Sequence, residues 1–521
     1  MSRFYKFLKK YHKWLGVTLA IFFMLFALSG IVMNHRSFFS KIDIKRSWLP
    51  NEYQYSNWNN AAIRGAKQWK PDSILVYGNI GVWLTDTTFS SFTNFNKGFP
   101  KGIDNRKIAD LHITPNGNIF AATLFGLYRH SNNKWQKVKL PIDENRMVAL
   151  EERGDSLIIM SRSYAIVANA VDNYQHLKPI TLAKPTGQEK RISLFKTIWV
   201  IHSGEIWGNA GKFIVDMGGL AMIFLSLTGL FYFFAPKLLK RLKQRISLKS
   251  RIKRANKWSF KWHLEIGIIA SIVLLLAMFT GMFLRPPLLI PIANKTVKPI
   301  KWSKLDNSNF WDDNLRDIAY DGQRGIFMLA TAEGIYALSP DLKEPPVKFA
   351  FQPPVSVMGI NTFWPSKNGF VVGSFSGLFW WNPFEHKLYD YITKQPAKPH
   401  SALSSPFGVK PIAGGFRLNE NEIFFDYNSG AFSETNAIAF PAMPKHIIDV
   451  SGMSLWNLAL EVHTWRIIKF MVSDFYILVV PLAGILGIIA VLTGSFMWII
   501  RKRKKKSRIK KMKHLEKVNT P

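Results

Sequence analysis

A chain of 521 residues with no cysteine holds no disulfide, no thiolate-bound zinc or iron–sulfur cluster, and no c-type haem attached through C-x-x-C-H. Its hydrophobic fraction, 48%, is ordinary, but that average hides long uncharged runs set among water-compatible stretches. The formal net charge of +35 invites a nucleic-acid reading; the excess lies beside the apolar runs, which explains it without a nucleic acid.

In chain order, residues 1–13 are a basic N-terminus with five Lys/Arg and no acid. The first predicted transmembrane helix is 14–35, around the uncharged run 15–33. Lys9, Lys10 and Lys13 give it the look of a signal peptide. Recurrence of the pattern later in the chain favours an uncleaved helix. Residues 36–200 form a β segment, and 201–236 a juxtamembrane stretch leading into the second helix, with run 217–235. A basic loop, 237–262, carries eleven Lys/Arg. The third helix is 263–285, with run 266–284, and a second β segment fills 286–462. A juxtamembrane stretch and the fourth helix occupy 463–500, with run 475–500, before a basic tail, 501–521, with ten Lys/Arg in its first thirteen residues. The 26 positive charges fall on one side of a four-span arrangement. By the positive-inside rule that side is the cytoplasm, both β segments lie outside, and the basic runs meet anionic lipid headgroups. Uncleaved apolar helices predict a bacterial inner membrane and a periplasmic location for the β segments.

The helices come from a duplication. Tyr11-His12-Lys13-Trp14-Leu15-Gly16 matches Trp262-His263-Leu264-Glu265-Ile266-Gly267, with Gly four residues after each His. Seventeen residues after each His comes a hydroxyl–Gly pair, Ser29-Gly30 and Thr280-Gly281. More loosely, His202-Ser203 precedes Thr228-Gly229, and His463-Thr464 precedes Thr493-Gly494. A helix–segment–helix unit is therefore used twice in parallel. The hydroxyl–Gly pairs are read as helix-packing residues.

A shorter period runs through the β segments. Gly81-Val82-Trp83, Gly126-Leu127-Tyr128, Gly334-Ile335-Tyr336 and Gly377-Leu378-Phe379 each close a strand–turn–strand pattern, with weaker copies near 155–167 and 421–432. These patterns resemble the β-propeller repeats of two-component sensor domains. Three candidate blades per segment predict one propeller assembled from both halves; two separate antiparallel β domains are the alternative. The expected fold class is a polytopic α-helical membrane protein, four helices in a parallel duplication, with an all-β, propeller-like periplasmic part built from two inserted segments.

The histidines carry the functional signal. Neutral imidazole is a good axial ligand for haem iron, and two from facing helices hold a six-coordinate b-type haem. A lone interfacial histidine is more often a packing residue, but His12, His263, His202 and His463 sit at repeat-related positions. They predict one haem b between His12 and His263 and a second between His202 and His463, with Gly16 and Gly267 leaving room for a flat macrocycle. His202 lies 15 residues before Met217, so an outer site needs an extended helix or a segment that folds back. His35 is the reserve ligand there, although its repeat counterpart is Pro286. Asp216 and Glu265 at the span edges receive no role. There is no phosphate-binding glycine loop, serine-nucleophile motif, zinc motif, or flavin or nicotinamide fingerprint. Any electron donor is thus a quinol or a separate cytoplasmic protein.

The order and spacing of His12…Gly16…Ser29-Gly30, His263…Gly267…Thr280-Gly281, His202-Ser203-Gly204 and His463-Thr464 resemble the PepSY-associated transmembrane family over all four spans. That resemblance implies an iron-regulated inner-membrane protein or ferric-siderophore reductase, moving electrons across the membrane to a periplasmic ferric chelate. It implies His12, His263, His202 and His463 as haem ligands. Two departures stand out: the fourth segment lacks the Gly that follows His202-Ser203, and the β segments do not look like PepSY modules. A non-redox propeller sensor, scaffold or accessory subunit of an iron-uptake system is the alternative function.

Overall fold

The computed structural model describes residues 3–242, 246–355, 359–399, 408–419, 421–433 and 440–518. The chain divides into two compact units. One comprises Met1–Arg36, Lys190–Asp306 and Trp456–Pro521; the other comprises Ser37–Glu189 and Asn307–Leu455.

The first unit is helical: α1 (Arg3–Asn34), α2 (Leu194–Ser203), α3 (Gly208–Arg241), α4 (Ile246–Met282), α5 (Leu455–His463) and α6 (Val479–Val518). The stretches containing α1, α3, α4 and α6 are long and apolar enough to cross a membrane, with mean hydropathy from 1.9 to 2.7. Their burial pattern reverses that of a soluble bundle. Ile21, Leu28, Leu227, Ile269, Ile272 and Leu482 are exposed, while Ser29, Ser226, Thr228, Ser271 and Thr280 are buried. Lipid tails solvate the large apolar side chains, so the interior is left to small and hydroxyl residues. Around the bundle α1 packs on α3 and α6, and α4 packs on the same two, so α1 and α4 occupy opposite corners.

The two short helices are where the chain folds back. Ser193 caps α2, its hydroxyl accepting from the Lys196 amide at 3.0 Å. The helix then stops at Gly204, whose φ of +77° turns the chain into α3. A Cβ there would stand 2.2 Å from the Gly211 carbonyl oxygen, so the turn requires glycine. This break is how His202 comes to lie beside the bundle instead of on an extension of α3. In the second copy Trp465 stands at the equivalent position and adopts the same left-handed backbone, φ +57°. The missing glycine therefore leaves the turn in place, with a non-glycine residue in a sparsely populated region.

The second unit is built on six consecutive antiparallel sheets at 65–94, 108–137, 147–180, 315–348, 360–390 and 412–433, with a two-stranded pair, Asp43–Ile44 and Met453–Ser454, besides. Each of the first five has four strands, and the sixth has three among the described residues. The six sequence repeats, including both weak copies, are the second and third strands of these sheets, joined as tight hairpins. The first strands, Gly65–Lys70, Ile108–Ile113, Met147–Arg153, Leu315–Asp321, Ile360–Ser366 and Ile412–Leu418, pack each beside the next, and the last packs beside the first. Apolar cores form between sheets from different halves of the chain. Trp58, Trp83 and Phe89 pack with Phe416 and Phe425, and Met160 and Ala165 pack with Trp311, Phe327 and Tyr336. Some buried indoles find carbonyl acceptors: Trp135 donates to Phe95 at 2.7 Å and Trp311 to Ala183 at 3.0 Å.

Polar side chains on the first strands tie neighbouring sheets together. Asp110 accepts from the Tyr77 hydroxyl at 2.9 Å and the Leu150 amide at 2.8 Å, and Glu151 accepts from the Tyr320 amide at 2.7 Å. Burial pushes the Asp317 carboxyl well above its usual range, with the Asp110 charge adding to the effect. Burial also pushes Glu151 up to about 7, against the opposing pull of the Tyr320 amide. A carboxyl whose folded pKa lies above its unfolded value stabilises the fold below the unfolded pKa, and that contribution is lost as pH rises through the folded one. The second unit should therefore lose stability between about pH 4.5 and pH 7, by at most about 3 kcal/mol from Glu151. Tryptophan-fluorescence melts of the full-length protein in detergent should show a lower midpoint at pH 8 than at pH 5. Glu151→Gln should make that difference smaller; an unchanged difference would remove Glu151 as its source.

Candidate functional site

The four repeat-related histidines meet as two pairs. His12 of α1 and His263 of α4 face each other across the bundle diagonal, with ring centroids 6.1 Å apart and planes at 79°. His202 at the end of α2 and His463 at the end of α5 stand 6.0 Å apart at 66°. Two imidazoles bound end-on to one metal, with a metal–nitrogen bond of about 2 Å and a ring centre about 1.2 Å behind each nitrogen, stand about 6 Å apart. Both pairs have that spacing. His12 and Ser29, which contacts the second pair, are 17 residues apart on α1, or about 25 Å along the helix.

Each ring rests in the same seat, built by a hydroxyl–Gly pair and a backbone carbonyl. His12 Nδ1 lies 2.9 Å from the Ala490 carbonyl oxygen and 3.3 Å from Thr493 Oγ1 on α6. His202 Nδ1 lies 2.9 Å from Ala277 O and 3.2 Å from Thr280 Oγ1 on α4. His463 Nδ1 lies 3.1 Å from Phe26 O and 3.0 Å from Ser29 Oγ on α1. His263 Nδ1 lies 3.1 Å from Thr228 Oγ1 on α3, with the Leu225 carbonyl as its second acceptor. The glycine of each pair lies beneath the ring. A Cβ on Gly281 would stand 2.8 Å from His202 Cε1, and Cβ atoms on Gly494, Gly229 and Gly30 would stand 3.0, 3.3 and 3.4 Å from His12, His263 and His463.

These contacts settle the protonation pattern. A carbonyl oxygen only accepts, so Nδ1 carries the proton in all four rings. Each hydroxyl donates to its own helix one turn back, Thr228 to Phe224 O at 2.7 Å and Thr280 to Leu276 O at 2.6 Å, leaving its lone pairs for Nδ1. In the neutral ring Nε2 is then the bare nitrogen, and among the described residues it makes no hydrogen bond in any of the four. A ring with Nδ1–H anchored to a carbonyl and a free Nε2 is oriented as a metal ligand. All four remain partly accessible, and a Cβ on Gly16 would meet nothing within 4 Å. On Gly267 it would meet Leu225 at 3.6 Å.

His35, the reserve ligand, is engaged elsewhere. Its Nε2 lies 2.7 Å from Asp216 Oδ2, while Asn34 donates to Asp216 Oδ1 at 3.0 Å. Asp216 thereby gains a role in holding the end of α1 to α3, and Glu265 remains exposed. His112 pairs with Glu152 at 2.9 Å within the second unit. Reading the hydroxyl–Gly pairs only as packing residues missed their contact with the rings. The signal was their fixed 17-residue distance from His12 and His263, but their ring partners lie on other helices. Because a methyl group on Gly281 has no room beside His202, Gly281→Ala should destabilise the bundle by roughly 1–3 kcal/mol. Thr493→Val, which leaves the Ala490 carbonyl in place, should cost about 1 kcal/mol. Thermal unfolding of the detergent-solubilised protein checks both, and wild-type stability of Gly281→Ala would contradict the seat geometry.

No curated protein matches this chain. Among solved structures it is similar to the extracellular domain of a putative hybrid two-component system from B. thetaiotaomicron, with 10% identity and a TM-score of 0.35, over 75% of this chain and 34% of that one. It is also similar to PorZ, a surface component of the type-IX secretion system of Porphyromonas gingivalis, with 10% identity and a TM-score of 0.31, over 73% of this chain and 32% of that one. The chain spans about a third of the length of these proteins. The PepSY-associated TM region matches residues 2–235 and again, overlapping, 161–403. With most of its length matched, this multi-pass membrane chain belongs to the PepSY-associated TM family.

Proposed function

We propose that the protein is a membrane oxidoreductase that holds two b-type haems, one between His12 and His263 and one between His202 and His463. The observation that carries this reading is the pair spacing of 6.1 and 6.0 Å, combined with Nδ1 anchored in all four rings. Among the described residues no group of three or more His, Asp or Glu is arranged to hold a bare ion. Each site thus offers two imidazole nitrogens, which would hold the iron of a haem. When bound, such groups supply one-electron transfer between two sites at opposite ends of the bundle.

The chain's own part is positional. The seats hold the imidazoles neutral and aimed, the hydroxyls keep the tautomer fixed, and Gly16 leaves open space one turn from His12. We read the basic N-terminus, central loop and tail as cytoplasmic, so that the His202–His463 pair lies at the periplasmic side of a bacterial inner membrane. We read the six sheets as a six-bladed propeller outside the membrane, supported by first strands that neighbour one another from the first sheet to the last and back. Following the family resemblance, the acceptor is a periplasmic ferric chelate and the donor a quinol or a cytoplasmic protein.

Absorption spectra of the detergent-purified protein, oxidised and dithionite-reduced, with a pyridine haemochrome count, test the reading. The expected result is a low-spin b-type spectrum with two haems per chain. His12→Ala and His463→Ala should each remove about half of it. Gly16→Leu, which fills the open space beside His12, should lower the count while leaving the His202–His463 centre. Colourless protein from haem-replete cells would defeat the redox reading and return the chain to a membrane-anchored sensor or scaffold.

A further inference from the structure

The duplication is close to symmetric at the histidines and their seats, but it breaks one turn beyond the seat of His202. Asn34 lies 22 residues after His12; the residue at that distance from His263 is Arg285. In the first copy the polar group is satisfied inside the bundle, Asn34 donating to Asp216 Oδ1 at 3.0 Å and to Ser203 O at 3.3 Å. In the second copy the counterpart of Asp216, counted from Thr228 and Thr493, is Pro481. An arginine has thus entered where the corresponding acid is absent.

Arg285 sits one turn beyond Gly281, and the Leu284 amide bonds the Gly281 carbonyl at 3.1 Å. Its guanidinium lies 5.9 Å from the ring centre of Tyr476, and its Nε is buried without a hydrogen-bond partner. Tyr476 also hydrogen-bonds its side chain, and Arg466 and Glu461 act on its charge from farther off. Glu461, 3% exposed, is paired with Arg466 and stands two residues before His463 on α5. Glu461 thus pairs with Arg466, while Arg285 makes no ion pair among the described residues. A guanidinium with a buried N–H left without a partner is stabilised by an anion that completes it. A planar guanidinium with a spare N–H fits a carboxylate in particular.

We propose that Arg285, backed by Tyr476 and the Arg466–Glu461 pair, is a carboxylate-binding position beside the His202–His463 pair. The carboxylate comes either from the edge of a macrocycle held by those histidines or from a soluble chelate arriving at that end of the bundle. The macrocycle source rests on the redox reading above; the soluble source stands without it.

The test uses full-length protein, Arg285→Gln and Arg285→Lys, with three readouts: the midpoint potential of each haem, the rate at which ferric citrate and a neutral ferric hydroxamate reoxidise the reduced protein, and citrate binding by calorimetry. A macrocycle carboxylate predicts that Arg285→Gln moves the potential of the His202–His463 centre alone, with Arg285→Lys restoring it and the citrate-to-hydroxamate ratio unchanged. A soluble carboxylate predicts an unchanged potential, with a loss of about five-fold or more in ferric-citrate rate and in citrate binding, restored in Arg285→Lys. Wild-type behaviour of Arg285→Gln in all three readouts overturns the proposal. If the wild type is colourless the redox reading fails by itself, and citrate binding decides: its presence in wild type and loss in Arg285→Gln supports the site, its absence rejects it.

Discussion

The hydrogen bond from an imidazole Nδ1 to a helix carbonyl is the interaction on which the rest of the bundle's interior depends. A main-chain carbonyl in mid-helix already accepts from an amide one turn on, but it has a second lone pair that normally points at a neighbouring side chain. Here that lone pair is used four times, at Phe26, Leu225, Ala277 and Ala490. Reaching it requires the ring to lie against the backbone, and the glycine four residues on leaves that room, most tightly at Gly281 and Gly494, where a Cβ would stand 2.8 and 3.0 Å from the ring. The hydroxyl before each glycine then supplies a second acceptor. Carbonyl, hydroxyl and glycine act together as one device, and their joint result is a ring anchored through Nδ1–H with Nε2 outside any hydrogen bond among the described residues.

The duplication distributes this device so that no helix serves its own histidine. Thr493 on α6 seats His12 of α1, and Thr228 on α3 seats His263 of α4. Ser29 on α1 seats His463, and Thr280 on α4 seats His202. Exchange of the two copies maps this set of contacts onto itself, as expected of two units paired about an approximate two-fold axis. The first pair brings together the diagonal helices α1 and α4, while α3 and α6 between them provide its seats. Ligand geometry is therefore set by contacts among all four long helices. The symmetry ends where the chain leaves the bundle: one copy closes with Asn34, His35 and Asp216, the other with Arg285, Glu461 and Arg466. Identical seats with different surroundings let two equivalent sites diverge in charge without disturbing the orientation of either.

Much of the architecture was legible in the sequence because it is local. Four uncharged runs of 19 residues or more report spans directly, since hydrocarbon tolerates few charged groups. The six hairpins, weak copies included, were visible because strand, tight turn and strand lie within about a dozen residues; glycine marks the turn in all but the third, which turns through Arg162-Ser163-Tyr164. The alignment of His463-Thr464-Trp465 with His202-Ser203-Gly204 left the fate of the turn open. The structure places Trp465 in the left-handed conformation that Gly204 adopts, which the packing of Phe22 and Phe26 against its indole helps to hold.

By itself, then, the sequence determined the number of apolar helices, the duplicated order of histidines and hydroxyl–Gly pairs, and the strand–turn–strand units. The repeat already suggested which histidines pair; only the tertiary structure decided that His35 belongs to Asp216 and that the hydroxyl–Gly pairs hold rings instead of merely packing helices. The physical reason is distance along the chain. A seat and its ring are separated by 478 residues for His12 and 434 for His463. Hydropathy and periodicity report which face of a segment avoids water; they carry no record of which partner that face will meet.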